Sequence, residues 1–432
     1  MTDTAEIKTN ETLKHNRYAD YKDSGVEWLG EIPAHWEVVK SKYLWKERID
    51  LSENGDEMLL SVSQYTGVGT RDDGSRTESL VGYKKVQKND LVINIMLAWL
   101  GGLGLSSFSG VVSPAYAVYR QTKDLNPKFL HYLYRTSIYL DEFGRRSKGV
   151  VPSRWRMYTD DFGQVITLLA PLTEQTRIAE FLDRKTAQID QAIAQKERLI
   201  ELLNERRQVM IHQAITRGLN PDVPMKDSGI EWIGEIPAHW EVKKLKYVLT
   251  ERNDRSDTGL ETMLMMSQEH GLVVRAEYHE KAIAGQTSIG SKKVLYNDLV
   301  FNKLKAHLGV FFKSTIEEVG LVSPDYAVYT SNGVVEDLKF LELLFRHPAY
   351  IWQFICSATG IVEGLIRLYT GDLFNIRISV PPLTEQKEIL AEVNEKSSQI
   401  ESALKKMEYE IKLLQELKST LINSAVTGKI KV

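Results

Sequence analysis

A basic stretch with aromatic neighbours is the part of this sequence best suited to bind an anion. Residues 143–158 read FGRRSKGVVPSRWRMY and contain no acidic residue. The cations are Arg145, Arg146, Lys148, Arg154 and Arg156, with Trp155 and Tyr158 among them. Lysine and arginine neutralise phosphates, and paired donors and acceptors can read the edges of nucleic-acid bases. The alternative interpretation is an ordinary solvated face, as most charged runs are.

A second basic run lies in the other half of the chain. Residues 291–309, SKKVLYNDLVFNKLKAHLG, supply Lys292, Lys293, Lys303, Lys305 and His307. The counterpart of the first run, ICSATGIVEGLIRLY at 355–369, is much less basic, although it keeps the pairings Gly149/Gly360, Arg156/Arg367 and Tyr158/Tyr369. This combination of a kept framework and different charges is expected of two domains that read different ligands.

The sequence lacks the patterns of common catalytic and cofactor sites. It has no G-x-x-x-x-G-K-[ST] phosphate loop, and its nine histidines show no metal-ligand spacing. GGLGLSS at 101–107 only weakly resembles a dinucleotide loop. SPAY and SPDY lack the two consecutive prolines of the amino-methyltransferase tetrapeptide. We therefore predict no catalytic residue, no metal site and no cofactor.

Composition and charge are those of a soluble globular protein, with 43% apolar and 26% charged residues. The net charge of −3 gives no global attraction to nucleic acid. Whether the chain binds nucleic acid therefore depends on local patches of charge. The single cysteine, Cys356, excludes an internal disulfide and fits a reducing, cytoplasmic setting. The polar residues 1–21 predict a loose N-terminal arm and do not resemble a secretion signal.

Residues 91–119 contain no charged side chain and could pass for a membrane span. Their counterpart at 299–329 carries six charged residues, which a membrane span would not tolerate. We therefore predict buried strands joined by a Gly/Ser-rich turn, and no membrane association.

The whole chain is a tandem repeat. KDSGVEWLGEIPAHWEVVKSKYL at 22–44 recurs at 226–248 with 18 of 23 positions identical. The segments NDLV, VSPxYAVY and PLTEQ also recur, at an offset that drifts only from 204 to 211 residues. A period of about 200 residues indicates two full domains, for which pseudo-twofold symmetry is the natural arrangement.

Each copy begins with a mixed α/β (α+β) domain, predicted over 22–170 and 226–381. Strand patterns occur in EVVKSKYLW, EMLLSVS, DLVINIML and AYAVYR. A helix follows at 125–143, with Asn126 as its cap and Pro127 in its first turn, and its partner is at 335–355. A last strand, in QVITLLAP or NIRISVPP, closes the domain.

Each copy ends in a long helix, predicted over 171–217 in the first copy and, together with a C-terminal tail, over 382–432 in the second. A linker at 218–225 separates the first long helix from the second domain. Ten positions in each helix, spaced alternately four and three residues apart, start at Leu182 and at Val393. Apolar residues occupy seven of the ten in the first helix and eight of the ten in the second. This pattern indicates a coiled coil. The alternative is an amphipathic helix packed on one domain. Thr173 and Thr384 of PLTEQ are the predicted N-caps.

These segments resemble the specificity subunit of type I restriction–modification enzymes. The resemblance rests on YKDSGVEWLGEIPAHWEV, NDLVFNKLKAHLG and the doubled PLTEQ before a long helix, and it covers the chain from about residue 18. It implies two target recognition domains that each read half of a split, asymmetric site in double-stranded DNA. It also implies that the two long helices pair as an antiparallel coiled coil and form a spacer where two methyltransferase subunits dock. Motor-nuclease subunits are then expected to join, and the specificity subunit itself is expected not to be catalytic.

Candidate DNA contacts are then chosen on the loops that follow the strands, from the charge of each residue and from its position in the repeat. In the first domain they are Gln64, Arg71, Arg76, Asn94, Arg145, Arg146, Lys148, Ser153, Arg154 and Arg156. In the second they are Gln268, Arg275, Lys292, Lys293, Asn302, Lys303, Lys305, Thr359 and Arg367.

Two other functions stay open on the sequence alone. One is a free-standing DNA methyltransferase or nuclease whose site follows none of the patterns above. The other is a scaffold in which a coiled coil joins two peptide-binding domains.

Overall fold

The computed structural model describes residues 17–71, 79–268, 270–278, 288–360 and 367–432. The chain divides into two compact units. The first contains residues 1–197 and 408–432, and the second contains residues 198–407. Each unit therefore combines one globular domain with part of each long helix.

The elements of the first globular domain alternate short strands with a few short helices. The strands are β1 Tyr21–Asp23, β2 Glu31–Pro33, β3 Glu37–Lys40, β4 Trp45–Arg48, β5 Leu60–Ser63, β6 Gly67–Thr70, β7 Lys84–Val86, β8 Leu91–Asn94, β9 Leu103–Leu105, β10 Gly110–Val112, β11 Tyr116–Gln121 and β12 Ile166–Leu169. The helices are α1 Pro127–Tyr134, α2 Ser137–Arg146 and α3 Thr159–Gly163.

The first long helix, α4, spans Leu172–Arg217, and the second globular domain then repeats the first. Its strands are β13 Met225–Asp227, β14 Glu235–Pro237, β15 Glu241–Lys244, β16 Leu249–Arg252, β17 Thr262–Ser267, β18 Gly271–Val274, β19 Lys292–Val294, β20 Leu299–Asn302, β21 Phe311–Lys313, β22 Gly320–Val322, β23 Tyr326–Ser331 and β24 Arg377–Val380. Its helices are α5 Arg275–Tyr278, α6 Lys339–Leu344, α7 Pro348–Ser357 and α8 Thr370–Asn375, and the second long helix, α9, is Leu383–Val426.

A four-stranded antiparallel sheet lies at the centre of each domain. Its strand order is β4-β11-β8-β9 in the first domain and β16-β23-β20-β21 in the second. The predicted closing strand pairs with a strand inside the repeated phrase, β12 with β3 and β24 with β15. The two ends of each domain are thereby fastened together beside the start of a long helix.

The uncharged stretch 91–119 forms buried strands, as predicted. β8 pairs antiparallel with β9 and with β11, and Leu91, Val92 and Val118 are fully buried. Among the described residues, no helix is long and apolar enough to cross a membrane.

The single helix predicted over 125–143 is wrong, because two helices form there. Asn126 caps α1 as expected, its side chain accepting a hydrogen bond from the amide of Phe129 at 3.0 Å. The helix then ends at Tyr134, and Thr136 is extended with its hydroxyl donating to the carbonyl of Leu133. The copy breaks at the same place, where His347 is extended before Pro348.

The long helices follow the predicted apolar spacing. All twenty positions of the pattern are buried or half-buried, whereas most of the remaining helix residues are exposed. In the first unit, Lys196 Nζ lies 2.5 Å from Glu410 Oε2 and Lys418 Nζ lies 2.6 Å from Asp190 Oδ1. The later residue of α4 meets the earlier residue of α9, so the two segments in this unit run antiparallel.

The helices begin with a glutamate contact that the sequence did not predict. Because α4 and α9 start at Leu172 and Leu383, Thr173 and Thr384 lie inside the first turn and the N-cap prediction is wrong. Glu174 instead accepts hydrogen bonds from His35 Nε2 at 2.8 Å and Trp36 Nε1 at 3.3 Å. In the second unit, Glu385 accepts from His239 Nε2 at 2.7 Å and Trp240 Nε1 at 3.0 Å.

The N-terminal arm is not loose throughout its predicted length of 1–21. Residues 1–16 lie outside the described part of the chain. Tyr18, however, is 8% exposed, packs edge-on against Trp36 and donates its hydroxyl to Glu174. The end of the arm is thus part of the junction between domain and helix.

We expect Glu174→Gln to lower the free energy of unfolding by roughly 1–3 kcal/mol, because one amide oxygen cannot accept all three donors. Burial alone would raise the pKa of Glu174, but the hydrogen bonds from Tyr18, His35 and Trp36 outweigh it and hold the pKa below its ordinary value near 4.5. A carboxylate with a lowered pKa stabilises the fold above its unfolded pKa, and this stabilisation is lost as the pH falls through the folded pKa. The difference between variant and wild type should therefore be full at neutral pH and shrink below about pH 4.5.

Denaturant unfolding of the full chain at several pH values measures this difference. Glu180→Gln, at an exposed position on the same helix, is the matched control and should change the unfolding free energy by less than about 0.5 kcal/mol. Equal effects of the two variants would contradict a special role for Glu174.

Candidate nucleic-acid interface

Two loops meet at the end of strand β8 in the first unit. Asn94 ends the strand, and its side-chain oxygen accepts the amide of Met96 at 3.1 Å, which turns the chain. The basic segment forms a hairpin closed by mutual backbone hydrogen bonds of 2.9 Å between Lys148 and Arg156. The amide of Met157 donates to the carbonyl of Ile95 at 2.9 Å, so the hairpin is fastened to the loop after β8.

Two tryptophans strengthen this attachment. Trp99, in the loop after β8, and Trp155, in the hairpin, have ring centroids 5.2 Å apart in an edge-on arrangement. Gly144 of α2 lies against both side chains, since a Cβ at this position would be 3.7 Å from Trp155 Cζ3 and 3.7 Å from Trp99 Cβ. Aromatic pairs of this kind contribute roughly 1 kcal/mol beyond the area they bury. The base of the hairpin is therefore fixed, although its tip is exposed.

A third loop, the turn between β5 and β6, is held to the same region by Arg135. Its guanidinium donates to the carbonyls of Gln64 at 2.8 Å and Tyr65 at 2.7 Å. It also donates to the carbonyls of Gly101 at 2.7 Å and Leu103 at 2.9 Å. Burial lowers the pKa of Arg135, but arginine stays charged in proteins, so four charge-assisted hydrogen bonds join the two segments.

The second unit has the same framework. Asn302 accepts the amide of Leu304 at 3.1 Å, and Thr359 and Arg367 exchange backbone hydrogen bonds of 2.9 and 2.8 Å. The amide of Leu368 donates to the carbonyl of Lys303 at 3.1 Å. The pairing of segments 143–158 and 355–369 that the sequence indicated is therefore present in the backbone.

The two units differ in which loop carries the positive charge. In the first unit, the loop after β8 is apolar, with Met96 and Leu97 partly exposed, and the hairpin is basic. In the second unit, the equivalent loop carries Lys303 and Lys305, and neutral Thr359 replaces Lys148. Equivalent surfaces thus present cations in different places.

The predicted contact residues fall into three groups by exposure. Those exposed are Arg71, Arg145, Lys148, Arg154, Gln268, Lys305, Thr359 and Arg367. Those half-buried are Gln64, Arg146, Arg156, Arg275, Lys293, Asn302 and Lys303. Asn94 and Lys292 are buried, at 4% and 3% exposed. Arg76 and the side chain of Ser153 lie outside the described part of the chain.

Several cations of segment 143–158 have acidic partners. Arg145 and Arg146 pair with the buried carboxylate of Glu142, and Lys148 Nζ lies 2.8 Å from Asp161 Oδ1. These hydrogen bonds raise the pKa of Arg145 and of Lys148. Both side chains are nonetheless two-thirds exposed, so their outer faces can meet an anion. Arg154 is exposed and forms no ion pair with the described residues.

Lys292 and Lys293 pair with acidic side chains of their own domain, and their contact with DNA stays a prediction. Lys292 Nζ lies 3.2 Å from Glu251 Oε1, and Lys293 Nζ lies 3.7 Å from Glu261 Oε1. Their equivalents in the first unit, Lys84 and Lys85, pair with Glu47 and Glu57 in the same way. The sequence signal was the repetition of KKV in both copies.

Sequence reasoning missed the residues that position the loops. Arg135 lies in the connection between α1 and α2 and belongs to no basic run. It also missed exposed apolar groups at the loop tips, since Tyr65 is 81% exposed and Val150 is 97% exposed. The described residues contain no group of three or more His, Cys, Asp and Glu that could hold a metal ion.

Known proteins with similar sequences are specificity subunits of type I restriction enzymes. No family model matches the chain. The MjaVIII specificity subunit of Methanocaldococcus jannaschii is 23% identical over 427 residues, which cover 93% of this chain and 94% of that protein. The EcoDI specificity subunit of Escherichia coli is 19% identical over 428 residues, covering 93% and 90%.

Solved structures give the same fold. A chain from a type I restriction–modification system, solved to explain complex assembly and conformational transition, superposes with a TM-score of 0.65 at 14% identity, covering 91% of this chain and 98% of that one. The HsdS subunit of Thermoanaerobacter tengcongensis gives a TM-score of 0.55 at 14% identity, covering 92% and 98%. The resemblance and the fold class inferred from the sequence are confirmed.

We expect Lys292→Ala to lower the free energy of unfolding by roughly 1–3 kcal/mol, because it removes a buried partner of Glu251 and leaves that carboxylate with Lys303 Nζ at 3.9 Å. Lys305→Ala, at an exposed position one loop away, is the matched control and should stay within about 0.5 kcal/mol of wild type. Denaturant unfolding of both variants measures the difference. Unchanged stability in Lys292→Ala would show that this lysine is not part of the framework.

Proposed function

We propose that this chain, which belongs to the specificity subunits of type I restriction–modification enzymes, selects the DNA site on which its partner subunits act. Each globular domain reads one half of a split site in double-stranded DNA. The two halves differ in sequence, so the complete site is asymmetric.

The observation that supports this proposal most strongly is the divergence of loops on a repeated framework. In both units, a hairpin is fastened to the loop after a central strand by the same backbone contacts. A protein that served only as a scaffold would not require its cations to lie in different loops of the two domains. Two readers of different base sequences would need such a change, because base readout depends on where donors and acceptors lie.

The exposed cations divide into two roles. Arg145 and Lys148 are tethered by carboxylates at the edge of the first surface, which suits phosphate contacts that set position. Arg154 sits at the exposed part of the hairpin without an ion-pair partner among the described residues, which suits paired hydrogen bonding to a guanine. In the second unit, Lys305 and Arg367 are the corresponding exposed cations.

Partner subunits supply the chemistry in this proposal. Two methyltransferase subunits dock on the paired helices, motor-nuclease subunits join them, and the specificity subunit itself is not catalytic. Exposed apolar side chains on the helices support docking: Leu199, Leu202 and Val209 in the second unit and Tyr409, Leu413 and Leu417 in the first. The helices also serve as the spacer that sets the gap between half-sites, and the complex acts in the cytoplasm.

The exchange of one domain tests the function as a whole. Residues 22–170 are replaced by the equivalent domain of a relative, the chain is expressed with its partner subunits, and methylated sites are mapped across the cell's DNA. We expect one half-site to change and the other to stay. A scaffold would leave the methylated sites unaltered, and methylation or cleavage of DNA by the purified chain alone would favour a free-standing enzyme.

A single substitution tests the role of the hairpin. We expect Arg154→Ala to relax the preference at one base pair of the first half-site by roughly 10- to 100-fold, as for the loss of one paired base contact. The measurement is the distribution of methylated sites made by the complete complex. Lys123→Ala is the control. Lys123 is exposed and follows the C-terminal end of β11, whereas Tyr116, which pairs with Asn94, lies at the other end of that strand.

Uniform weakening at all sites in Arg154→Ala would instead assign this arginine to a phosphate. Binding to DNA should also weaken steeply as salt rises, since several phosphates are neutralised. A binding constant that does not depend on salt would argue against the DNA interface.

A further inference from the structure

In the first unit, the side chain of Arg135 donates its hydrogen bonds to backbone carbonyls of two separate loops. Arg135 joins the β5–β6 turn, through Gln64 and Tyr65, to the segment at Gly101 and Leu103 that follows the loop after β8. Both segments border the proposed DNA-reading surface. Arg135 itself is half-buried behind them.

The equivalent arginine of the second unit has a different partner. Arg346 donates to Glu342 Oε1, four residues earlier on the same helix, at 3.2 Å. Its guanidinium also lies 5.3 Å from the ring centre of Phe312. Glu342 is buried and additionally takes Lys339 Nζ at 2.7 Å and the amide of Lys313 at 2.9 Å.

The residue four places before Arg135 is a histidine. His131 packs directly beneath the turn, since a Cβ at Gly67 would lie 2.8 Å from its Cε1 and a Cβ at Gly104 would lie 3.2 Å from it. Burial, aided by the nearby charge of Arg135, lowers the pKa of His131 to about 4, so the ring is neutral at pH 7. A neutral ring does not draw the guanidinium toward the helix as a carboxylate does.

We propose that Arg135 positions the β5–β6 turn for base reading in the first unit, and that the residue four places earlier decides whether the arginine does so. A histidine at this place leaves the guanidinium to the loop carbonyls, whereas a glutamate binds it to the helix. The turn positioned by Arg135 presents Gln64 and the exposed ring of Tyr65 as specificity-determining groups. Arg135 touches no base in this scheme and acts only through the turn.

This inference rests on the proposed function, and the second half-site of the same molecule provides its internal reference. The key variant is His131→Glu, which installs in the first unit the pairing seen between Glu342 and Arg346. His131→Gln is the matched control, because glutamine has the length of glutamate and is also polar but carries no charge to hold the guanidinium. Arg135→Gln removes the positioning group itself and keeps the test decisive if the buried carboxylate prevents folding.

Each variant is expressed in the complete complex, and methylated sites are mapped alongside thermal unfolding of the purified full chain. We expect His131→Glu and Arg135→Gln to increase methylation, on the order of 10-fold, at sites with one wrong base in the first half-site. Discrimination at the second half-site should stay as in wild type, and His131→Gln should match wild type at both. If Arg135 had only a structural role, its variant would have a lower Tm and no change in discrimination. Lost stability would not relax discrimination at one half-site alone.

Retention of first-half-site discrimination by Arg135→Gln would overturn the proposal. Equal relaxation of both half-sites would overturn it too, since it would make Arg135 a residue of general stability. Relaxation by Arg135→Gln but not by His131→Glu, in a folded protein, would remove the role assigned to His131. An absence of site-selective methylation even with the wild-type chain would refute the proposed function and is therefore distinguishable from these outcomes.

Discussion

One carboxylate in each unit joins the reading domain to the long helices. Glu174 and Glu385 stand in the first turn of a helix, and each accepts hydrogen bonds from an indole and an imidazole of the repeated phrase. The indoles of Trp36 and Trp240 are fully buried, so their N–H groups need an acceptor. The first turn of a helix favours a negative charge, and therefore one glutamate satisfies both the indole and the helix terminus.

The same junction fixes the end of the other long helix. In the first unit, Gly428 lies against Pro33 and Trp36, where a Cβ would be 2.4 Å from Pro33, and its carbonyl accepts the hydroxyl of Tyr21. In the second unit, Gly218 lies beside Trp240 and Glu385, where a Cβ would be 2.8 Å from the carboxylate. Both glycines have positive φ, so a side chain is excluded by space and by backbone conformation. This geometry explains why a phrase with no chemical function of its own is kept almost unchanged in both copies.

The sequence predicted the parts of the fold that depend on periodicity and repetition. The apolar spacing of the long helices, the central strands and the pairing of the two hairpins were all correct, since each follows from local pattern or from the offset of about 208 residues. The break at Thr136 was missed, because the apolar stripe continues across it and gives no sign that this residue is extended. Lys292 was chosen as a DNA contact because charge alone does not reveal that its partner, Glu251, lies 41 residues away in the sequence.

Repetition itself separates framework charges from reading charges. Lys84 with Glu47 and Lys292 with Glu251 are the same pair in two copies, and such pairs neutralise each other inside the domain. Lys148 against Thr359 and Lys305 against Leu97 differ between the copies, and both lysines are exposed. Exposed charges farther apart than about 8 Å are largely screened at physiological salt. A net charge of −3 is therefore no obstacle to binding DNA, because a phosphate responds mainly to the charges within one screening length of it.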